Sequence, residues 1–198
     1  MMAEQASLQS HKIKLQASEE TKFDFSRFNI PKQAVISAEL DDVSVISNPP
    51  SMEALSCVCL NLEDLKCFES VEKQYEKFGV IFHNCIAIQP SNPAFPSHSG
   101  LMVLMGAPKS GFLEASFVRP VHSVSTYVTS SQRLVLSAYD GNRQLLTQTI
   151  LSGANLANTD SAIPPNTLLT VRANNIHSVT FCAFDGQFTL DDFTFVLS

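Results

Sequence analysis

From Glu53 onward, short runs of alternating apolar and polar residues are separated by turn-forming clusters, the pattern of half-buried strands. Ala54 to Leu62 begins the series, and Val80-Ile81-Phe82, Ile86-Ala87-Ile88, Leu101 to Met105, Leu113 to Phe117 and Ser123 to Thr129 continue it. Gln132 to Tyr139, Gln144 to Ile150, Thr167 to Arg172, Ser178 to Phe184 and the closing run Gln187 to Ser198 complete it. Only Cys67 to Phe78 carries a helical period: Phe68, Val71, Tyr75 and Phe78 are three or four apart, and Glu72 stands one turn before Glu76. Short strands at this spacing predict an all-β fold, a jelly-roll-like antiparallel β-sandwich with one short helix.

Three segments carry more specific expectations. Asp140-Gly141-Asn142 joins two strands, and Gly141 is expected to supply the positive φ of a tight hairpin. Ser152 to Asn166, with Pro164-Pro165, predicts a long exposed loop. In the closing run, strand alternation sends the neighbours Asp191 and Asp192 to opposite faces, so at least one is drawn toward a structured place. A cation is a natural partner for it.

Upstream, residues 1–22 are polar and without a sustained period, which predicts a mobile N-terminal arm. Residues 23–52 contain extended pieces, Ala34 to Leu40 and Val43 to Ile46, and end at Asn48-Pro49-Pro50, the composition of a small β appendage or linker. Residues 53–198 are then the sandwich domain.

Composition narrows the function classes. The chain has 14 Phe, no Trp, 44% hydrophobic and 16% charged residues, which predicts a Phe-filled core under a neutral Ser, Thr, Asn and Gln surface. With 13 basic against 19 acidic residues the net charge is -6, and no basic run alternates with aromatics, so nucleic acid is not an expected partner. No segment is long and apolar enough for a membrane span, and Met1 to Lys12 lacks the apolar stretch of a signal peptide. The default expectation is a soluble cytoplasmic chain, with export by another route left open. Cys57, Cys59, Cys67, Cys85 and Cys182 read as reduced core residues; Cys57 and Cys59 share a strand face, but no second pair or close His completes a zinc set.

Catalytic chemistry finds little support. His83, His98, His122 and His177 are of a residue type suited to acid–base work near neutral pH but sit in no recognisable catalytic context. Pro96-Ser97-His98-Ser99-Gly100 reads as a polar loop, since it lacks the Gly-x-Ser-x-Gly elbow. Glu63, Asp64, Glu114 and Asp185 are the carboxylates from which a glycosidase pair would be drawn, but Glu114 alternates with apolar neighbours as a solvent-facing strand residue does. A non-enzyme is expected.

Several short motifs occur in order over about residues 60–198: Leu62-Glu63-Asp64-Leu65, Tyr75 through Gly79-Val80-Ile81-Phe82, Pro96-Ser97-His98-Ser99-Gly100, Ala138-Tyr139-Asp140, and Leu190-Asp191-Asp192-Phe193-Thr194-Phe195. Together they resemble a loose family of bacterial, often cyanobacterial, jelly-roll modules of secreted or surface proteins, similar in architecture to carbohydrate-binding and lectin-like sandwiches. The resemblance implies a structural calcium shared between an acid after the first strand and one in the last, here Glu63 or Asp64 with Asp191 or Asp192; such an ion takes about six to eight oxygens. It also implies a recognition module that binds a glycan or another surface ligand through its loops. Members usually carry an export signal and stack sugars on Trp or Tyr, whereas this chain offers only Tyr75, Tyr127 and Tyr139. Asn92, His98, Tyr139, Asp140 and Asn142 are the expected ligand-binding residues, offering hydrogen bonds and one ring. The alternative function is an assembly subunit, a homo-oligomer whose sheet edges or residues 33–47 pair with neighbouring copies.

Overall fold

The computed structural model describes residues 35–38, 56–106 and 111–198. These lie in one compact unit, Gln33–Ser198. The expected arm, residues 1–22, and all of the appendage except 35–38 lie outside the described residues.

Among the described residues, period-two patterning produces ten strands: β1 Val35–Ala38, β2 Cys57–Leu60, β3 Val80–His83, β4 Cys85–Ile88, β5 Val103–Gly106, β6 Phe112–Ser130, β7 Leu134–Tyr139, β8 Leu145–Leu151, β9 Thr167–Cys182 and β10 Phe188–Leu197. The all-β class holds. Helical structure among the described residues is a single 3-10 turn, Glu76–Phe78, at the end of the segment with helical spacing. Upstream, Ser70 forms a β-bridge with Ile86, and the Phe68 and Val71 amides donate to Ala87 and Cys85 carbonyls. These neighbours satisfy the backbone that a helix would have satisfied internally. Of the four spaced residues, Val71 and Tyr75 are fully buried, Phe78 is partly buried and Phe68 is exposed, so the spacing marked some buried positions without a helix.

The strands form one hydrogen-bonded sheet in the order β1-β2-β10-β6-β9-β7-β8, with β3 on β6 and β5 linking β10 to β4. All pairings are antiparallel except β1 with β2. Two pairs of expected strands prove continuous. Leu113–Phe117 and Ser123–Thr129 are parts of the 19-residue β6, and Thr167–Arg172 and Ser178–Phe184 largely form the 16-residue β9. The polar breaks between them, at Arg119-Pro120 and Asn174-Asn175, fall where the β6–β9 register shifts, and Asn175 has φ 68°. Bulges of this kind bend a strand without ending it.

The β6–β9 ribbon therefore runs through both halves of the sheet. One half is flanked by β3 and β7, the other by β10. The halves face each other across phenylalanine rings: Phe82 on β3 meets Phe193 on β10 edge-on with centroids 5.2 Å apart, and Phe117 on β6 lies 5.2 Å from Phe195. Phe181 on β9 approaches both Phe188 and Phe193. A sandwich-like core thus comes from one sheet folded over itself. Its largest fully buried side chains include Phe181, Phe188, Phe193, Phe195, Leu190, Leu104 and Leu113.

The cysteine expectation needs correcting. Cys57 and Cys85 are buried, but Cys67 and Cys182 are exposed and Cys59 is half-buried; all five are free thiols. Burial pushes the Cys85 thiol far up, and burial followed by the neighbouring Cys59 raises Cys57.

Candidate functional site

The closing strand organises one polar cluster. Asp191 pairs with Tyr127 and Thr194 with Ser125, so Asp192 and Phe193 together oppose Thr126 in a bulge. Asp192 adopts φ 47°, the left-handed region. The Thr126 hydroxyl donates to the Asp191 carbonyl at 2.7 Å within the buried side of the bulge. The expectation that the two carboxylates point to opposite faces fails here, because the extra residue breaks the alternation. Both now serve one loop.

That loop is Ser97-His98-Ser99-Gly100. Asp191 Oδ2 accepts the His98 and Ser99 amides at 2.7 and 3.0 Å, and its Oδ1 accepts the Asp192 amide at 2.8 Å. Asp192 Oδ2 lies 2.7 Å from His98 Nδ1, and its Oδ1 accepts the Ser99 hydroxyl at 2.5 Å. The His98 ring stacks on Tyr127 at 3.5 Å. Glu63, from the segment after β2, holds the far end of the loop by accepting the Leu101 and Met102 amides through Oε1, both at 3.0 Å. Gly100 has φ 54°, and a Cβ there would collide with the Glu63 carboxylate, so glycine is required twice over. Burial raises the Asp191 carboxyl above its ordinary value, against the lowering effect of the three amides it accepts.

Glu63, Asp191 and Asp192 line one cleft of about 320 Å³ with Asn61, Leu62 and Ser99. Asp64 does not line it; its Oδ2 accepts the Asn61 side-chain amide at 3.3 Å. The pairing of β2 with β10 thus brings three of the four expected calcium ligands to one place. Their oxygens, however, meet N–H and O–H donors, whereas calcium takes an all-oxygen shell. Among the described residues no three His, Cys, Asp or Glu side chains are disposed to hold one metal ion. As they stand, these carboxylates anchor the Ser97–Gly100 loop through its N–H and O–H donors.

A second polar feature lies on the outer face of the β3-β6-β9-β7 half. Register sets His83 opposite Glu114, Ser116 opposite Ser178, and Ser178 opposite Tyr139. Their in-sequence neighbours Phe82, Ala115, Val179 and Ala138 point into the core, so these polar side chains point out. The β7–β8 hairpin overhangs them and completes a groove of about 440 Å³ lined by His83, Glu114, Ser116, Asp140, Gly141, Arg143, His177 and Ser178. Arg143 makes a two-point ion pair with Glu114, its Nη1 to Oε1 and its Nη2 to Oε2 at 3.3 Å, and Nη1 also approaches the Ser178 hydroxyl at 3.4 Å.

The hairpin differs in detail from expectation. Its positive φ belongs to Arg143, at 63°, and not to Gly141. Asp140 Oδ1 accepts the Asn142 and Gln144 amides at 2.8 and 2.9 Å, an arrangement that closes the turn through the side chain. Gly141 instead allows close approach, since a Cβ there would lie 3.3 Å from His177 Nε2.

The five expected ligand-binding residues are not gathered together. Asp140 lines the groove; Tyr139 stands in the same cross-strand row without lining it, and Asn142 is exposed at the turn. His98 belongs to the anchored loop. Asn92 lines a separate, mainly apolar recess with Phe68, Ile88, Phe95 and Met105, and its Oδ1 accepts the Ala94 amide in a local turn. Among the groove residues, His83, Glu114 and His177 were weighed in the sequence only as catalytic candidates and Arg143 was not singled out; the four are far apart in the chain, and only the strand register unites them. The alternation of Glu114 with apolar residues was the available signal, but it marks any outward strand position.

No family model and no curated protein matches the chain. Among solved structures, a DUF4465 family protein from Bacteroides caccae is similar with a TM-score of 0.43 and 11% sequence identity, over 62% of this chain and 83% of that one. The fold class rests on the strands described above.

Proposed function

We propose that this chain is a non-catalytic recognition module that holds a polar, hydroxyl-rich ligand, a glycan or a similarly polar surface group, in the groove above β3, β6, β9 and β7. The observation that carries the reading is the convergence there of an Arg–Glu pair, two imidazoles and two serine hydroxyls on one sheet face. These groups offer both donors and acceptors, the Arg guanidinium in a planar fork suited to paired oxygens. Tyr139 does not line the groove, so recognition is by hydrogen bonds and imidazole faces more than by ring stacking. Nothing in the groove couples a nucleophile to a base and a third orienting group, which favours binding without turnover.

A glycan array identifies the ligand, and isothermal titration then tests the site. Arg143→Ala should weaken binding at least about tenfold, or about 1.4 kcal/mol. It should lower melting only modestly: the Arg143 side chain is mostly exposed, although its loss leaves the largely buried Glu114 carboxylate without its ion pair. Asn142→Ala serves as the control and should bind as wild type does. Unchanged affinity in Arg143→Ala removes the groove from the reading, and hydrolysis of a sugar polymer by wild type overturns the non-enzymatic one.

The calcium reading applies to the other cleft, where three carboxylates meet. A cation there must use lone pairs left over by the amide donors. Calcium would then raise the melting temperature of wild type but not of Asp192→Ala, by mass action on the native state; no shift with calcium or chelator would leave the cleft as a loop anchor alone.

A further inference from the structure

Strand β8 ends the strand path, pairing with β7 and with no second strand among the described residues. Its sequence, Leu145-Leu146-Thr147-Gln148-Thr149-Ile150-Leu151, holds no charge, proline or glycine. Edges of this composition template pairing with another strand, and proteins ordinarily guard them with Lys, Pro or a covering element. Here the outward side chains Leu146 and Ile150 are 38% and 42% exposed, while Thr149 and Leu151 are drawn toward the molecule, Thr149 by donating to the Thr170 carbonyl at 2.7 Å. One irregularity interrupts the strand, a register shift against β7 at Leu146, next to the hairpin.

The sequence of the edge is also nearly palindromic about Gln148. Antiparallel pairing of two identical strands about a two-fold axis through that residue sets each position against its mirror image. Leu146 then meets Ile150 of the partner subunit, Thr147 meets Thr149 of the partner subunit, and Gln148 meets itself. Every pair matches apolar with apolar, hydroxyl with hydroxyl, or amide with amide, and pairing preserves the face each residue occupies. A self-complementary patch is what a closed two-fold dimer requires.

We infer that the β8 edge is a homodimer interface, in which two copies of this chain join antiparallel through β8 with Gln148 on the two-fold axis. The shift at Leu146 confines the regular ladder to Thr147, Gln148 and Thr149, and the Leu146 and Ile150 pairs close its two ends. The occupant is a second copy and not an arbitrary peptide, because only the chain itself supplies the mirror-image strand. This surface lies beyond the binding groove and does not depend on it.

Sedimentation of the full chain over a dilution series tests the inference. Wild type should pass from twice the monomer mass to the monomer on dilution. Gln148→Lys, which sets like charges face to face on the axis, should remain monomeric at every concentration while melting as wild type does. Gln148→Cys should form a disulfide-linked dimer under mild oxidation, well above the wild-type background from its own cysteines. Thr147→Cys should not, because its position faces residue 149 of the partner. A monomeric wild type overturns the inference, as does a dimer that Gln148→Lys leaves intact or that Gln148→Cys fails to cross-link.

Discussion

Asp191 is a buried carboxylate held from several sides. It is buried at 3% exposure, accepts three backbone amides and still has its carboxyl raised by burial. Desolvation therefore outweighs the amides in deciding its protonation. The sign of the consequence follows from linkage. Because the folded pKa exceeds the ordinary value of about 3.8, the folded state binds more protons than the unfolded one between the two values. This contribution to stability is full below about 3.8 and is lost as pH rises through the folded pKa. Urea unfolding of wild type and Asp191→Asn across acidic pH measures it. The stability of wild type relative to the variant should fall as pH rises from about 3.8 and then level off; a rising difference would mean that the amides dominate.

At the scale of elements, bulges and one buried amide do more than regular strands to place the polar features. The β10 bulge turns Asp192 into the left-handed region, where an L-residue costs about 1–2 kcal/mol. Asp192→Gly should remove that strain while losing the His98 and Ser99 contacts, whereas Asp192→Val loses the contacts and adds β-branched strain. Denaturant unfolding should place Val below Gly by about 1–2 kcal/mol; the reverse order would mean that the bulge does not require the left-handed residue. The Ser152–Asn166 segment was expected to be an exposed loop, but its Asn155 is fully buried. The Asn155 side chain accepts the Ser130 amide at 2.6 Å and donates to the Val128 and Pro164 carbonyls at 2.8 and 3.0 Å. It therefore fastens the loop to the end of β6. Asn155→Ala leaves those groups buried without partners and should cost about 2–4 kcal/mol in chemical unfolding. A loss under about 1 kcal/mol would show that the segment relaxes to let water reach them.

For the whole molecule, β6 and β9 run through both halves of the sheet, so neither half keeps its hydrogen bonds if the other opens. Unfolding should be a single cooperative transition. With no Trp in the chain, tyrosine fluorescence reports on both halves, through Tyr75 against Phe82 on one side and Tyr127 on the other. Its urea transition should coincide with that of the circular dichroism, and two separated midpoints would show that the halves unfold independently. Much of this architecture is legible in the chain. Period two marks the strands, the Phe-rich composition marks the core, and Asp140 to Asn142 marks a hairpin, because each is a local property of residue type and spacing. The false helix at Cys67 to Phe78 has the same origin, since a periodic apolar spacing marks some of the buried side chains and not which backbone bonds bury them. Glu63 and the Asp191–Asp192 pair reach one place because Glu63 follows β2, and β2 pairs side by side with β10, the strand that carries the two aspartates. What the sequence alone determined, then, is which residues are strand, turn and core. What only the tertiary structure decided is how far a strand continues past a bulge, which way Asp192 turns, and that His83, Glu114, Arg143 and His177 share one groove. Those outcomes depend on the register between strands distant in sequence, and register is set by the packing of the whole sheet, a property that no single segment carries.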